Sequence, residues 1–437
     1  MPQASLSGSK PTARVRDLKD RFLALQPSMS AARAEIYYEV YREYQNYPVV
    51  LKRAIALRET LARLPVFIFP GELILGHPAA APRAAEAFPE VNMAFMGDLD
   101  EFETREYNRL RVASDVKASL RAMEPWWRGK TLTDHFRATR HPAAAAGIAA
   151  GLFSNSHEWS GFAHVAMDYR KLLDKGVDGL LQEVEIRREA LDPADPEYPI
   201  RTPFYQALAE ICRGILIFAD RYRALALESA AEEADPGRRA ELKRLAAILE
   251  RVPRRPAGNF REAIQSFWFQ QLIPQIESNG FSITPGRFDQ YMWPYLEQDL
   301  ASGAITMGEA QELVDMIFLK FCEILRVDST GSAEINAGYA AGQNLVAGGL
   351  DAQGRDATNP LSRMCLRSNL HVGLQQPNFT VRLHRNTPKD FLDQAVESIA
   401  RGNGMPQVLN DELIIPSLVR RGMTLAEARD YIPVGCD

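Results

Sequence analysis

Cysteine is scarce. The 437 residues hold four, Cys212, Cys322, Cys365 and Cys436, and none stands in a C-x-x-C pair. That spacing argues against a thiolate zinc cluster and a disulfide framework. A dominant charge is also missing: 51 basic residues face 56 acidic ones. No stretch combines clustered Lys and Arg with aromatics, so the electrostatic footprint of a nucleic-acid binder is absent. Long apolar runs are lacking too. The longest, residues 142–153, is mostly Ala and Gly and falls well short of the roughly 20 residues a membrane helix needs. The polar stretch 1–20 lacks the apolar centre of a secretory signal, which makes the cytoplasm the expected compartment. Neither a phosphate-cradling glycine loop nor an internal repeat is found, so nucleotide chemistry and solenoid architectures have no support.

What is present is ordinary globular material, 46% hydrophobic and 24% charged, which predicts a large core. Residues 31–64 and 203–254 carry apolar positions at helical spacing with Arg, Lys and Glu on the alternate faces. Between them, 191–199 holds Pro193, Pro196 and Pro199 among acidic residues and is expected to be a surface connection. Asn259 with Glu262, Thr306 with Glu309, and Thr424 with Glu427 have the spacing of helix N-caps. Cys322 and Cys365 fall beside or within apolar stripes, where packing is the expected role.

After Gln343 the pattern changes. Residues 344–349, 379–383 and 405–409 read as short strands. Asn359-Pro360 and Thr387-Pro388 open the helices between them. Strands alternating with helices predict an α/β region with a parallel sheet built from βαβ units. The sequence then closes on Tyr431-Ile432-Pro433-Val434-Gly435-Cys436-Asp437, which reads as an irregular loop carrying a cysteine.

The run Glu277-Ser278-Asn279-Gly280-Phe281-Ser282-Ile283-Thr284-Pro285-Gly286-Arg287-Phe288-Asp289-Gln290-Tyr291-Met292 resembles the substrate-side segment of glycyl radical enzymes, the pyruvate formate-lyase-like family, in their diol dehydratase and eliminase branch. The same order of landmarks continues through Gly348-Gly349, Asp356-Ala357-Thr358-Asn359, Gln376-Pro377-Asn378, Gly404-Met405-Pro406, Asn410-Asp411-Glu412 and Asp430-Tyr431 to Gly435-Cys436. Upstream, Glu72-Leu73-Ile74, Trp127-Arg128-Gly129-Lys130-Thr131 and His164 before Asp168-Tyr169 extend it over nearly the whole chain.

The resemblance implies an α/β fold that is one half of a ten-stranded barrel, a parallel half-barrel with helices outside and the cysteine loop inside. Residues 1–255 would be a mostly helical region and 256–437 the half-barrel leading into the loop. The family's glycine radical loop has no counterpart in this sequence. The implied function is therefore the N-terminal portion of a glycyl radical lyase. Cys436 would be the catalytic thiol, and His164, Phe281 and Ser282 would contact substrate. No cofactor or metal would be bound by this chain; a post-translational glycyl radical would lie in the remaining half. Implied partners are a small polar substrate, a radical-SAM activating enzyme, the C-terminal half or a complementing chain, and a homodimer mate.

Sulfur suits that role because a thiol S–H bond is close in strength to an activated C–H bond, so hydrogen can be taken and returned at little net cost. Such a centre must be sealed from water and held close to the reacting carbon. In the family a glutamate two residues after the cysteine acts as base; here that position lies beyond Asp437. Glycerol-type members carry His before the Ser of the Asn-Gly-x-Ser segment, whereas Phe281 stands here. A lost hydroxyl partner implies a substrate other than glycerol or propane-1,2-diol. Simpler roles compete: His164 and Ser282 as satisfied polar residues, Phe281 as core, Arg287 with Asp289 as a structural ion pair, and Asp411-Glu412 as helix N-terminal charge. Alternative functions are a noncatalytic half-barrel that binds a partner chain, and a formate C-acyltransferase. The latter's adjacent cysteines are absent at Gly435-Cys436-Asp437.

Overall fold

The computed structural model describes residues 10–153 and 160–435. Its first part is mostly helical: α1 (Ala13–Ala24), α2 (Ala32–Glu43), α3 (Val49–Arg63), α4 (Ser114–Trp127), α5 (Leu132–Thr139), α6 (Pro142–Ala149), α7 (Tyr169–Glu189), α8 (Tyr198–Glu232) and α9 (Pro236–Arg251). A short parallel pair, β1 (Ser28–Ser30) and β2 (Ala84–Glu86), lies among them. The expected connection before α8 ends two residues early, at Glu197. Pro199 occupies the first turn of α8, where a missing N–H costs nothing.

The sheet that matters for function has five parallel strands, β3 (Val165–Ala166), β4 (Ile283–Thr284), β5 (Asn344–Gly348), β6 (Asn378–Leu383) and β7 (Gln407–Asn410). β3 pairs with β4, β5 with β6, and β6 with β7. A parallel bridge between Gly286 and Leu345 joins the two sets. The strand order is therefore the chain order, as an open α/β half-barrel requires. β3 comes from the largely helical first region, so that region supplies one wall of the sheet.

Helices α10 (Phe260–Glu277), α11 (Phe288–Ser302), α12 (Met307–Cys322), α13 (Thr330–Ile335), α14 (Pro360–Val372), α15 (Lys389–Ala400), α16 (Asp411–Arg420) and α17 (Leu425–Arg429) complete the chain. Thr306, Asn359 and Thr424 each accept a hydrogen bond from the backbone N–H three residues on, forming capping boxes. Because side chains alternate along a strand, Leu345, Ala347, Phe379 and Val381 share one core with Phe267, Trp268, Ile317 and Leu361 of the covering helices. Asn344, Thr380 and Arg382 point the other way and are also fully buried. Cys322 and Cys365 are buried as expected.

The expected pairing of Arg287 with Asp289 is not formed. Side chains two residues apart at a helix start do not face each other. Arg287 instead reaches Asp430 at 3.0 Å, while Asp289 accepts from Gly348 N at 2.8 Å and Ser362 Oγ at 2.5 Å. Burial pushes the Asp289 carboxyl above its ordinary value against those bonds. Asp411 is likewise more than helix-terminal charge: it forms a buried bidentate pair with Arg382.

Candidate active site at the cysteine loop

The strand pairing brings three of the sequence-derived site residues together. His164 N donates to Phe281 O at 2.8 Å, and Val165 N donates to Ser282 O at 3.2 Å, which starts the β3–β4 ladder. Ser282 N donates in turn to Ala341 O at 2.8 Å, tying the turn to the chain entering β5. His164 and Ser282 have φ of 52° and 60°. Two non-glycine residues in the left-handed region, each just before one of two paired strands, is the kind of strain that surrounding structure holds at functional sites.

The loop arrives against this corner. Gly435 N donates to Thr284 Oγ1 at 3.3 Å, and Asn344 Nδ2 donates to Gly435 O at 3.1 Å. Gly435 has φ of 70°, and a Cβ placed there would come within 2.0 Å of Ser282 Oγ. Only glycine meets both demands. Cys436 lies outside the described residues. Its peptide neighbour Gly435 is fixed between Ser282, Thr284 and Asn344, on the side of the strands opposite the covering helices.

Phe281 is half-buried and belongs to neither large core cluster. Its ring lies under the Arg326 guanidinium, with Cζ 3.3 Å from the ring centroid. Arg326 Nη1 also donates to Asn279 O at 2.6 Å, and its Nε approaches Asp328 Oδ1 at 3.5 Å. Burial lowers the Arg326 pKa from its ordinary value, with Asp328 opposing the shift. The 279–282 turn is thus braced by a buried cation from the segment after α12.

Thr284, Asn344 and Arg326 are the contacts that sequence reasoning missed. Thr284 was inside the motif run, and its period-two relation to Ser282 was the available signal. Asn344 and Arg326 had none, because their partners are far away in sequence.

The other cysteines offer no competing reactive thiol. Burial pushes the thiol of Cys212 up to about 11 and that of Cys322 up to about 12, and raises Cys365 well above the ordinary value. Among the described residues one cluster, Glu72, His77 and Glu323, has the spacing of metal ligands. The Lys320 ammonium already fills it, 3.1 Å from Glu72 Oε2 and 2.9 Å from Glu323 Oε2. His77 bridges the same carboxylates at 3.1 and 2.8 Å. The group is a buried charge network.

An open parallel half-barrel with the loop at Gly435 seated against its strands defines a class, the α/β barrels. The chain belongs to the pyruvate formate lyase-like family, whose model matches residues 9–437. It is 34% identical to the probable dehydratase YbiW of Escherichia coli K12, over 97% of this chain and 54% of that protein. It is 32% identical to (2S)-3-sulfopropanediol dehydratase of Klebsiella oxytoca, over 98% of this chain and 52% of that one. The glycerol-bound B12-independent glycerol dehydratase of Clostridium butyricum superposes with a TM-score of 0.95 at 35% identity, covering 100% of this chain and 55% of that structure. The chain spans about half the length of the relatives it matches.

Proposed function

We propose that this chain is the N-terminal half of a glycyl radical lyase of the dehydratase or eliminase type, with Cys436 as the hydrogen-abstracting thiol. The observation that carries this is the seating of Gly435 against Ser282, Thr284 and Asn344, beside His164 and Phe281. A glycyl radical in the remaining half, generated by a radical-SAM activating enzyme, would supply the one-electron chemistry. This chain's own residues would do three things. Once its own S–H hydrogen has passed to that glycyl radical, the sulfur, now a thiyl radical, takes hydrogen from a substrate carbon, so an S–H bond forms as the C–H bond breaks and leaves a carbon radical, and it later gives the hydrogen back. His164 and Ser282 orient the substrate's polar groups. Phe281, held under Arg326, presents an aromatic wall where a hydroxyl partner would otherwise stand, which favours a small polar substrate other than glycerol or propane-1,2-diol.

The test uses the chain joined to its C-terminal half, identified by an open frame ending in an Arg-Val-Ala-Gly-Tyr-like motif. After anaerobic activation, Cys436→Ser is expected to keep the glycine-centred spin signal and to lose turnover. An intact enzyme that stays spin-silent after activation, or a Cys436→Ser variant that still turns over, would overturn the proposal.

A second possibility, a half-barrel that acts by binding a partner chain, draws on the exposed apolar residues Val408 on β7 and Leu392, Val396 and Ile399 on α15. Val408 lies on the last strand of the sheet, where a further strand could add.

A further inference from the structure

The segment that carries the cysteine has few apolar anchors. In α16 Asp411 and Ile415 are buried, in α17 Ala428 is, and neither helix contributes to the large core around α10 and α12. A polar device does the docking. Arg382, on the inner face of β6 and fully buried, makes four hydrogen bonds: Nε to Asp411 Oδ1 at 2.8 Å, Nη2 to Asp411 Oδ2 at 2.9 Å, Nη2 to Arg429 O at 2.8 Å, and Nη1 to Tyr431 O at 2.9 Å. Its guanidinium also lies 3.9 Å from the centroid of the Tyr431 ring. Tyr431 Oη closes the circuit by donating to Asp411 Oδ1 at 2.9 Å.

The space for this fork exists because position 349 has no side chain. A Cβ there would stand 2.7 Å from Arg382 Nε. Arg287 adds a second hold on the same stem, donating to Arg429 O at 3.2 Å and pairing with Asp430 at 3.0 Å. Beyond the clamp, Ile432 packs on Gly286, and Gly435 then reaches Thr284 and Asn344. A planar fork that bonds one carboxylate and two carbonyls at once fixes position and rotation together, which an ammonium on a flexible stem cannot do.

We propose that Arg382 is a positioning residue for the Cys436 thiol, acting through the 429–431 stem, with Asp411 and Tyr431 as its partners. The proposal rests on Cys436 being the working thiol, but its test needs no turnover.

In the 437-residue chain, the rate of iodoacetamide alkylation is followed at each cysteine by peptide mass spectrometry, for the parent, Arg382→Lys and Tyr431→Leu. Tyr431→Leu removes the stacked ring and its hydroxyl while leaving the Arg382–Asp411 pair, so it carries the test should Arg382→Lys fail to fold. The expected result is a rate change of tenfold or more at Cys436, with the rate at buried Cys365 unchanged. An unaltered Cys436 rate, or Cys436 and Cys365 accelerating in parallel, would overturn the positioning role. Failure of the lyase assignment shows separately, in the spin and turnover of the length-complete enzyme.

Discussion

Replacing Gly435 by Ala probes the corner where loop and sheet meet. Two costs add. A non-glycine residue at a φ of 70° loses about 1–2 kcal/mol relative to glycine. The new methyl must also displace Ser282, whose Oγ and Cβ lie 2.0 and 2.6 Å from its position; overpacking of this kind costs about 1–3 kcal/mol. A total of about 3 kcal/mol would speed exchange of the Gly435 amide, which donates to Thr284 Oγ1, by roughly a hundredfold. The second arm is Ser282→Gly with Gly435→Ala. It removes the overlap and also relieves Ser282's own φ of 60°, leaving only the backbone cost and an acceleration of roughly tenfold. Hydrogen exchange of residues 430–435 read by mass spectrometry measures both. If the two substitutions act additively, with no recovery in the double variant, the contact between Ser282 and Gly435 does not seat the loop.

Arg33 is fully buried between the rings of Tyr37 and Phe88, pairs with Glu90 at 2.7 Å, and donates to Ile276 O and Glu277 O at the end of α10. Arg33→Ala strands a buried carboxylate and should lower stability by about 3–5 kcal/mol in urea titrations; a loss under 1 kcal/mol would refute that account. Burial alone would lower His77, but Glu72 and Glu323 outweigh it and raise its pKa. Its contribution is therefore complete below the unfolded value of about 6.5 and disappears as pH rises through the higher folded value. The melting temperature should fall across that window, and His77→Gln should flatten the slope. The 437-residue chain alone should self-associate through the β7 edge, seen as concentration-dependent sedimentation, and Val408→Lys should reduce it. A parent chain that stays monomeric throughout would count against an adhesive edge.

Local signals were legible in the sequence wherever chemistry and structure sit within a few residues of each other. Thr306 with Glu309 and Thr424 with Glu427 cap their helices because a side-chain oxygen and an N–H three residues on can meet without outside help. β5 was readable as a short buried run and β6 from its apolar alternation. β3 and β4, two residues each, are too short to show a period, although they bring His164 beside Ser282. The motif run located the 279–282 turn, but what braces it, Arg326 across Phe281, depends on a contact that only folding creates. The same holds for Arg287, whose partner is Asp430 and not Asp289, and for Arg382 with Asp411. Charge pairs of that kind follow from three-dimensional proximity, which spacing along the chain does not encode.

Val165 pairs with Ile283 across everything from α7 to α10. Closing so long a segment carries a large entropic cost that is recovered only once the intervening helices have packed. The corner occupied by His164 and Ser282 should therefore assemble late in folding. Damage to α7, α8 or α9 would then show first as loss of the Val165–Ile283 pairing at this corner and only later as loss of the fold.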